Sequence, residues 1–82
     1  MDVRIVEKIL AAEEKPFPPL QIYLTINDLA ARYEVSTKTI RRWADSYVLP
    51  LDIDSRLGIR RWDIEELMEF EEDVKIENES TY

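Results

Sequence analysis

The chain has no cysteine and no histidine, and Gly58 is its one glycine. The first absence removes disulfides, thiol nucleophiles and zinc–thiolate sites together. The second removes the commonest general base and metal ligand. A single glycine excludes the Gly-rich loops that cradle phosphates in nucleotide-binding folds. No apolar run approaches the roughly 18 residues that cross a bilayer, and no signal-peptide pattern opens the chain. An enzyme is therefore not expected, nor a metal or other cofactor, nor a membrane protein.

What is there is a small soluble domain. The 82 residues are 45% hydrophobic and 35% charged, enough for one modest core. The formal net charge is −7, and it is unevenly placed. Residues 25–62 carry seven basic and five acidic side chains, whereas residues 63–82 carry Lys75 against nine acids. The middle of the chain is mildly basic and the last quarter strongly acidic.

Four segments follow from the pattern. Residues 1–15 read as an amphipathic helix with Val3, Val6, Ile9 and Leu10 near helical spacing. Residues 16–23 read as a connector, since Pro16, Pro18 and Pro19 end any helix. In residues 24–73, Thr25 and Asp28 form a capping-box pair ahead of Ile26, Leu29, Ala30 and Tyr33. A turn through Glu34-Val35 leads to Ser36, a second N-cap, and a helix over 37–46 with Ile40 and Trp43 inward. After Pro50, residues 51–54 and 59–62 suit a hairpin turning between Ser55 and Gly58. Asp63 then caps a last helix whose inward stripe is Ile64, Leu67 and Met68. Residues 74–82 read as an acidic flexible tail.

Helix, turn, helix, hairpin and helix in that order describe a winged helix-turn-helix, mainly α with a small β-hairpin. The residues Leu24-Thr25-Ile26-x-Asp28-Leu29-Ala30, Val35-Ser36-x-x-Thr39-Ile40-Arg41-Arg42-Trp43, Leu49-Pro50 and Leu57-Gly58-x-Arg60-Arg61-Trp62-x-Ile64-Glu65 carry a resemblance to a known group. The chain resembles the MerR-like winged-helix superfamily, and within it the small excisionase- and AlpA-type proteins of phages and mobile elements. That resemblance implies a DNA-binding protein of the bacterial or phage-infected cytoplasm that controls recombination or transcription. It also implies several copies lined along bent DNA, and an integrase as a protein partner. Two departures stand out. Glu34 occupies a turn position usually given to glycine, at a cost of about 1 kcal/mol if it is left-handed. The wing is also poor in glycine.

The candidate contacts to double-stranded DNA are Thr37, Lys38, Arg41 and Arg42 on the recognition helix and Arg56 and Arg60 on the wing. Thr37 and Lys38 fall in the first helical turn, the part that meets base edges in the major groove. Arg41 lies one turn along, and Arg reads guanine bidentately or clamps phosphate. The plainer alternative is a solvated basic face, with Arg41 or Arg42 bridging to Asp45 or to the last helix. Strand alternation sends Arg60 and Arg61 to opposite faces, so at most one of them faces a duplex squarely, Arg60 being preferred, and the other is expected to pair with the acidic helix. Tyr33, Trp43 and Trp62 could stack on single strands but fit the core better. Asp52-x-Asp54 lacks the rest of a calcium loop.

The carboxylates Glu65, Glu66, Glu69, Glu71, Glu72 and Asp73 read as a solvated face. They could also repel stray phosphate, or dock a basic partner such as an integrase. Three other roles are open: a DNA-packaging adaptor, a protein-interaction module that has lost DNA binding, and a homo-oligomer joined through the N-terminal helix.

Overall fold

The computed structural model describes residues 2–53 and 60–79. The chain begins with α1 (Val3–Ala12), continues through the short strand β1 (Tyr23–Thr25), α2 (Ile26–Tyr33) and α3 (Thr37–Asp45), and ends with β2 (Arg61–Asp63) and α4 (Ile64–Glu79). It is mainly helical with a small antiparallel sheet, as expected of a winged helix-turn-helix.

Each helix starts where the sequence offers a cap. Asp2 accepts a hydrogen bond from the Arg4 N–H at 2.8 Å and opens α1. At α2 the capping box is complete: the Asp28 N–H donates to Thr25 Oγ1 at 3.3 Å, and the Thr25 N–H donates to Asp28 Oδ2 at 3.0 Å. Ser36 caps α3 by accepting from the Thr39 N–H at 3.1 Å. The Asp63 carboxylate accepts from the N–H groups of Glu65 and Glu66 and opens α4.

The core is one cluster. Its largest fully buried side chains are Trp62, Tyr33, Ile9, Leu29, Ile40 and Leu67. Tyr33 and Trp43 meet with ring centroids 5.9 Å apart, and Trp62 Nε1 donates to the Pro50 carbonyl at 2.9 Å. All three aromatics are thus structural. Through Ile9 and Ala12, α1 packs on α2 and α4, so part of its apolar stripe is covered within the chain. Val3, at the start of that stripe, is exposed.

Three expectations need correction. The main partner of β2 is β1, in the register Tyr23↔Asp63, Leu24↔Trp62 and Thr25↔Arg61. The local hairpin contributes a single bridge, Ile53↔Arg61, among the described residues. Residues 16–22 hold no helix or strand, Tyr23 begins β1, and Phe17 packs on the core. On α4 the inward stripe runs Ile64, Leu67, Glu71, Val74; Met68 is 52% exposed. The tail expected from residue 74 is helical to Glu79, with Val74 buried.

The reason for the α4 register is a polar partner. Glu71, read from sequence as a solvated carboxylate, is only 4% exposed. It accepts two hydrogen bonds from Arg32 and one from Tyr33 Oη, at 2.7 to 2.8 Å. Three strong donors hold it inside, which no neighbouring apolar side chain could do.

Candidate nucleic-acid interface

The turn between α2 and α3 sets the angle of the second helix. Glu34 sits at φ 53°, ψ 49°, in the left-handed region, and the Val35 N–H returns to the Ala30 carbonyl at 3.0 Å. A non-glycine residue there carries the strain that the sequence suggested. Val35 and the buried Ile40 and Trp43 then seat α3 on α2.

That seating turns the remaining face outward. Lys38, Arg41 and Arg42 are exposed and Thr37 is half-buried. Spacings of three and four residues gather these side chains on adjacent turns of one face. No described residue forms an ion pair with Lys38, Arg41 or Arg42. The bridges to Asp45 or to α4, weighed as the plainer alternative, are not made.

The other basic side chains of the helix-turn-helix and its sheet are engaged internally. Arg32 is buried against Glu71, and its Cζ lies 3.8 Å from the Phe17 ring centroid. Burial works against the charged guanidinium, yet the Glu71 hydrogen bonds and charge hold its pKa above the ordinary value. Arg61 lies over the Tyr23 ring at 4.9 Å, and its buried Nε has no hydrogen-bond partner among the described residues. Arg60, expected to meet DNA, donates to Asp52 at 2.9 and 3.4 Å and to Asp45 at 3.0 Å. The hydrogen bond from Arg60 holds the Asp52 carboxyl below its usual range, and the Arg60 pKa is raised in return. Among the described residues neither Arg60 nor Arg61 pairs with α4, so that expectation is corrected. Arg56 lies outside the described residues.

The structure therefore brings Thr37, Lys38, Arg41 and Arg42 together and sets Arg60 apart. Sequence reasoning missed Asp45 and Asp52 as partners of Arg60. The available signal was Asp52 and Arg60 on opposite arms of one hairpin. Among the described residues, no group of three or more carboxylates is placed to hold a metal ion.

A helix-turn-helix domain family matches residues 23–71, from the first residue of β1 to Glu71. The chain belongs to this family. It is the family of small excisionase- and AlpA-type DNA-binding proteins, so the chain is a DNA-binding helix-turn-helix protein. The family is typically non-enzymatic. No curated protein and no solved structure gives a match. Among the described residues of this helix-turn-helix protein, no helix is long and apolar enough to cross a membrane. The matched segment contains both strands, so the sheet that closes the domain belongs to the family unit.

Proposed function

We propose that this chain is a sequence-specific double-stranded DNA-binding protein, an excisionase- or AlpA-type regulator of recombination or transcription. In this reading α3 lies in the major groove and the wing reaches the adjacent backbone or minor groove. Thr37 and Lys38 sit at the leading turn, and Arg41 and Arg42 follow on phosphate or base edges. The exposed carboxylates of α4 suit a basic partner protein, such as an integrase, recruited to the occupied site.

The observation that carries the reading is the division of labour among the cations. Arg32, Arg60 and Arg61 are engaged inside the domain, while Lys38, Arg41 and Arg42 are exposed and have no carboxylate partner among the described residues. Three unneutralised charges on one helical face suit a polyanion in a chain whose net charge is −7.

Salt-series titration with duplex fragments tests it. Each cation that neutralises a phosphate contributes about 0.9 to the slope of log K against log salt. The double variant Lys38→Ala/Arg41→Ala should bind more weakly and lower that slope by about 2, with the fold intact. Unchanged affinity in that variant, or no duplex binding by the wild-type chain at low salt, sinks the reading.

A further inference from the structure

Asp45 is the last residue of α3, and residues 52–53 and 60–61 are the described arms that flank the wing. One side chain reaches both arms and the helix. From Nε and Nη2, Arg60 donates to the two carboxylate oxygens of Asp52, at 2.9 and 3.4 Å. From Nη1 it donates to Asp45 Oδ1 at 3.0 Å.

We propose that Arg60 is a positioning residue for DNA binding, which ties both arms of the wing to the C-terminal end of α3 and does not itself take a phosphate. This rests on the DNA-binding reading of α3.

Geometry supports the assignment first. All three guanidinium nitrogens are committed to carboxylates, and the planar fork matches Asp52 edge to edge. The N–H groups left over, one on each Nη, have their direction set by these bonds, so Arg60 cannot turn its fork to a phosphate without giving up charge-assisted bonds already made. Charge supports it next. Arg60 stands between two aspartates, so the group presents a net negative charge to an approaching backbone. That is a poor phosphate site.

Connectivity completes the argument. The Ile53 N–H donates to the Arg61 carbonyl at 2.7 Å, and Arg61 pairs on its other side with Thr25. Trp62 Nε1 is fixed to the Pro50 carbonyl, and the Val48 N–H to the Trp43 carbonyl. The backbone from α3 through both arms is thus already partly tied. Arg60 supplies the direct side-chain link from the arms back to the helix. A wing held at one angle to α3 loses less freedom when DNA binds.

The sign of one substitution separates a positioning role from a direct contact. Removing a carboxylate from a protein that binds a polyanion ordinarily tightens binding. Here Asp52→Ala should weaken duplex binding, by roughly three- to tenfold. Arg60→Ala and Arg60→Lys should weaken it to a similar extent, since lysine keeps the charge but not the fork. The double variant Asp52→Ala/Arg60→Ala should be no weaker than the worse single variant. The salt slope of Arg60→Ala should equal that of the wild type.

Circular dichroism and thermal melts accompany each variant. Should Asp52→Ala fold poorly, Asp45→Ala poses the same question at a side chain 71% exposed. Asp45→Ala should then weaken binding in the same direction. If Asp52→Ala and Asp45→Ala bind as tightly as wild type or tighter, or if Arg60→Ala lowers the slope by about 0.9, the proposal is overturned. Should Lys38→Ala/Arg41→Ala lose binding in that case, the DNA-binding reading still stands. A wild-type chain that binds no duplex at low salt overturns both.

Discussion

Arg32 and Glu71, 39 positions apart in sequence, form a buried bidentate pair that joins α2 to α4. Arg32 also donates from Nη1 to the Lys15 carbonyl at 2.8 Å, which ties the segment before β1 to the same point. Truncating one partner strands the other charge in the interior. Glu71→Ala should cost about 3–5 kcal/mol in urea denaturation, because Arg32 is left buried and unpaired. Replacing both, as Arg32→Met with Glu71→Leu, should cost less than Glu71→Ala alone.

The same cluster makes stability fall at high pH. Burial pushes the Tyr33 phenol up, and the charge and hydrogen bond of Glu71 push it further, well above its ordinary value of 10.0. An acid whose folded pKa is raised holds its proton more tightly in the folded chain. Its contribution is complete below the unfolded pKa and is lost as pH rises above it. Unfolding free energy should therefore decline above about pH 10, and Tyr33→Phe should flatten that decline. An identical alkaline profile in the variant would place the loss elsewhere.

Glu34→Gly should stabilise the domain. The left-handed backbone at Glu34 costs a side-chain-bearing residue roughly 1 kcal/mol that glycine avoids. Among the described residues the substitution gives up the surface pair with Lys15 at 3.6 Å, worth little, and it adds some of glycine's entropy loss on folding. A rise in Tm of a few degrees is expected, read by calorimetry.

Ile9→Ala tests whether α1 is part of the fold or an appendage. Ile9 is fully buried, so the truncation should cost about 2–4 kcal/mol in chemical denaturation. A change below about 0.5 kcal/mol would mean that the helix does not stay packed in solution.

Neutralising Glu66, Glu69 and Asp73 together, as Gln, Gln and Asn, should raise affinity for unrelated duplex at low salt. The gain should shrink as salt rises, because the repulsion it removes is screened. Equal binding across the salt series would assign these side chains to solubility alone.

The elements with local signals were legible in the sequence. Thr25, Ser36 and Asp63 mark helix starts through hydrogen bonds to their own near neighbours, so their spacing is enough to find them. The β1–β2 pairing was not, because three residues on each side are too few for alternation to mark a strand and their partners are distant in the chain. Glu71 had a visible cue: it falls on the Ile64, Leu67, Val74 stripe at a spacing of four from Leu67. The competing choice, Met68, was favoured by hydropathy, and the partners that reverse it lie on another helix. On α3, four of the expected contacts are gathered because one helix carries them all. Arg60 differs because its partners, Asp45 and Asp52, become neighbours only when the arms fold back on α3.

The pairing of Leu24 with Trp62 also sets an order of events during synthesis. Leu24 is made 38 residues before Trp62, so whatever part of the domain folds before Trp62 arrives keeps β1 as an open strand edge beside an incomplete core. Trp62, fully buried in the finished domain, then fills the core and closes that edge in one step. Until this late closure, the nascent chain exposes the apolar surface that chaperones and proteases recognise.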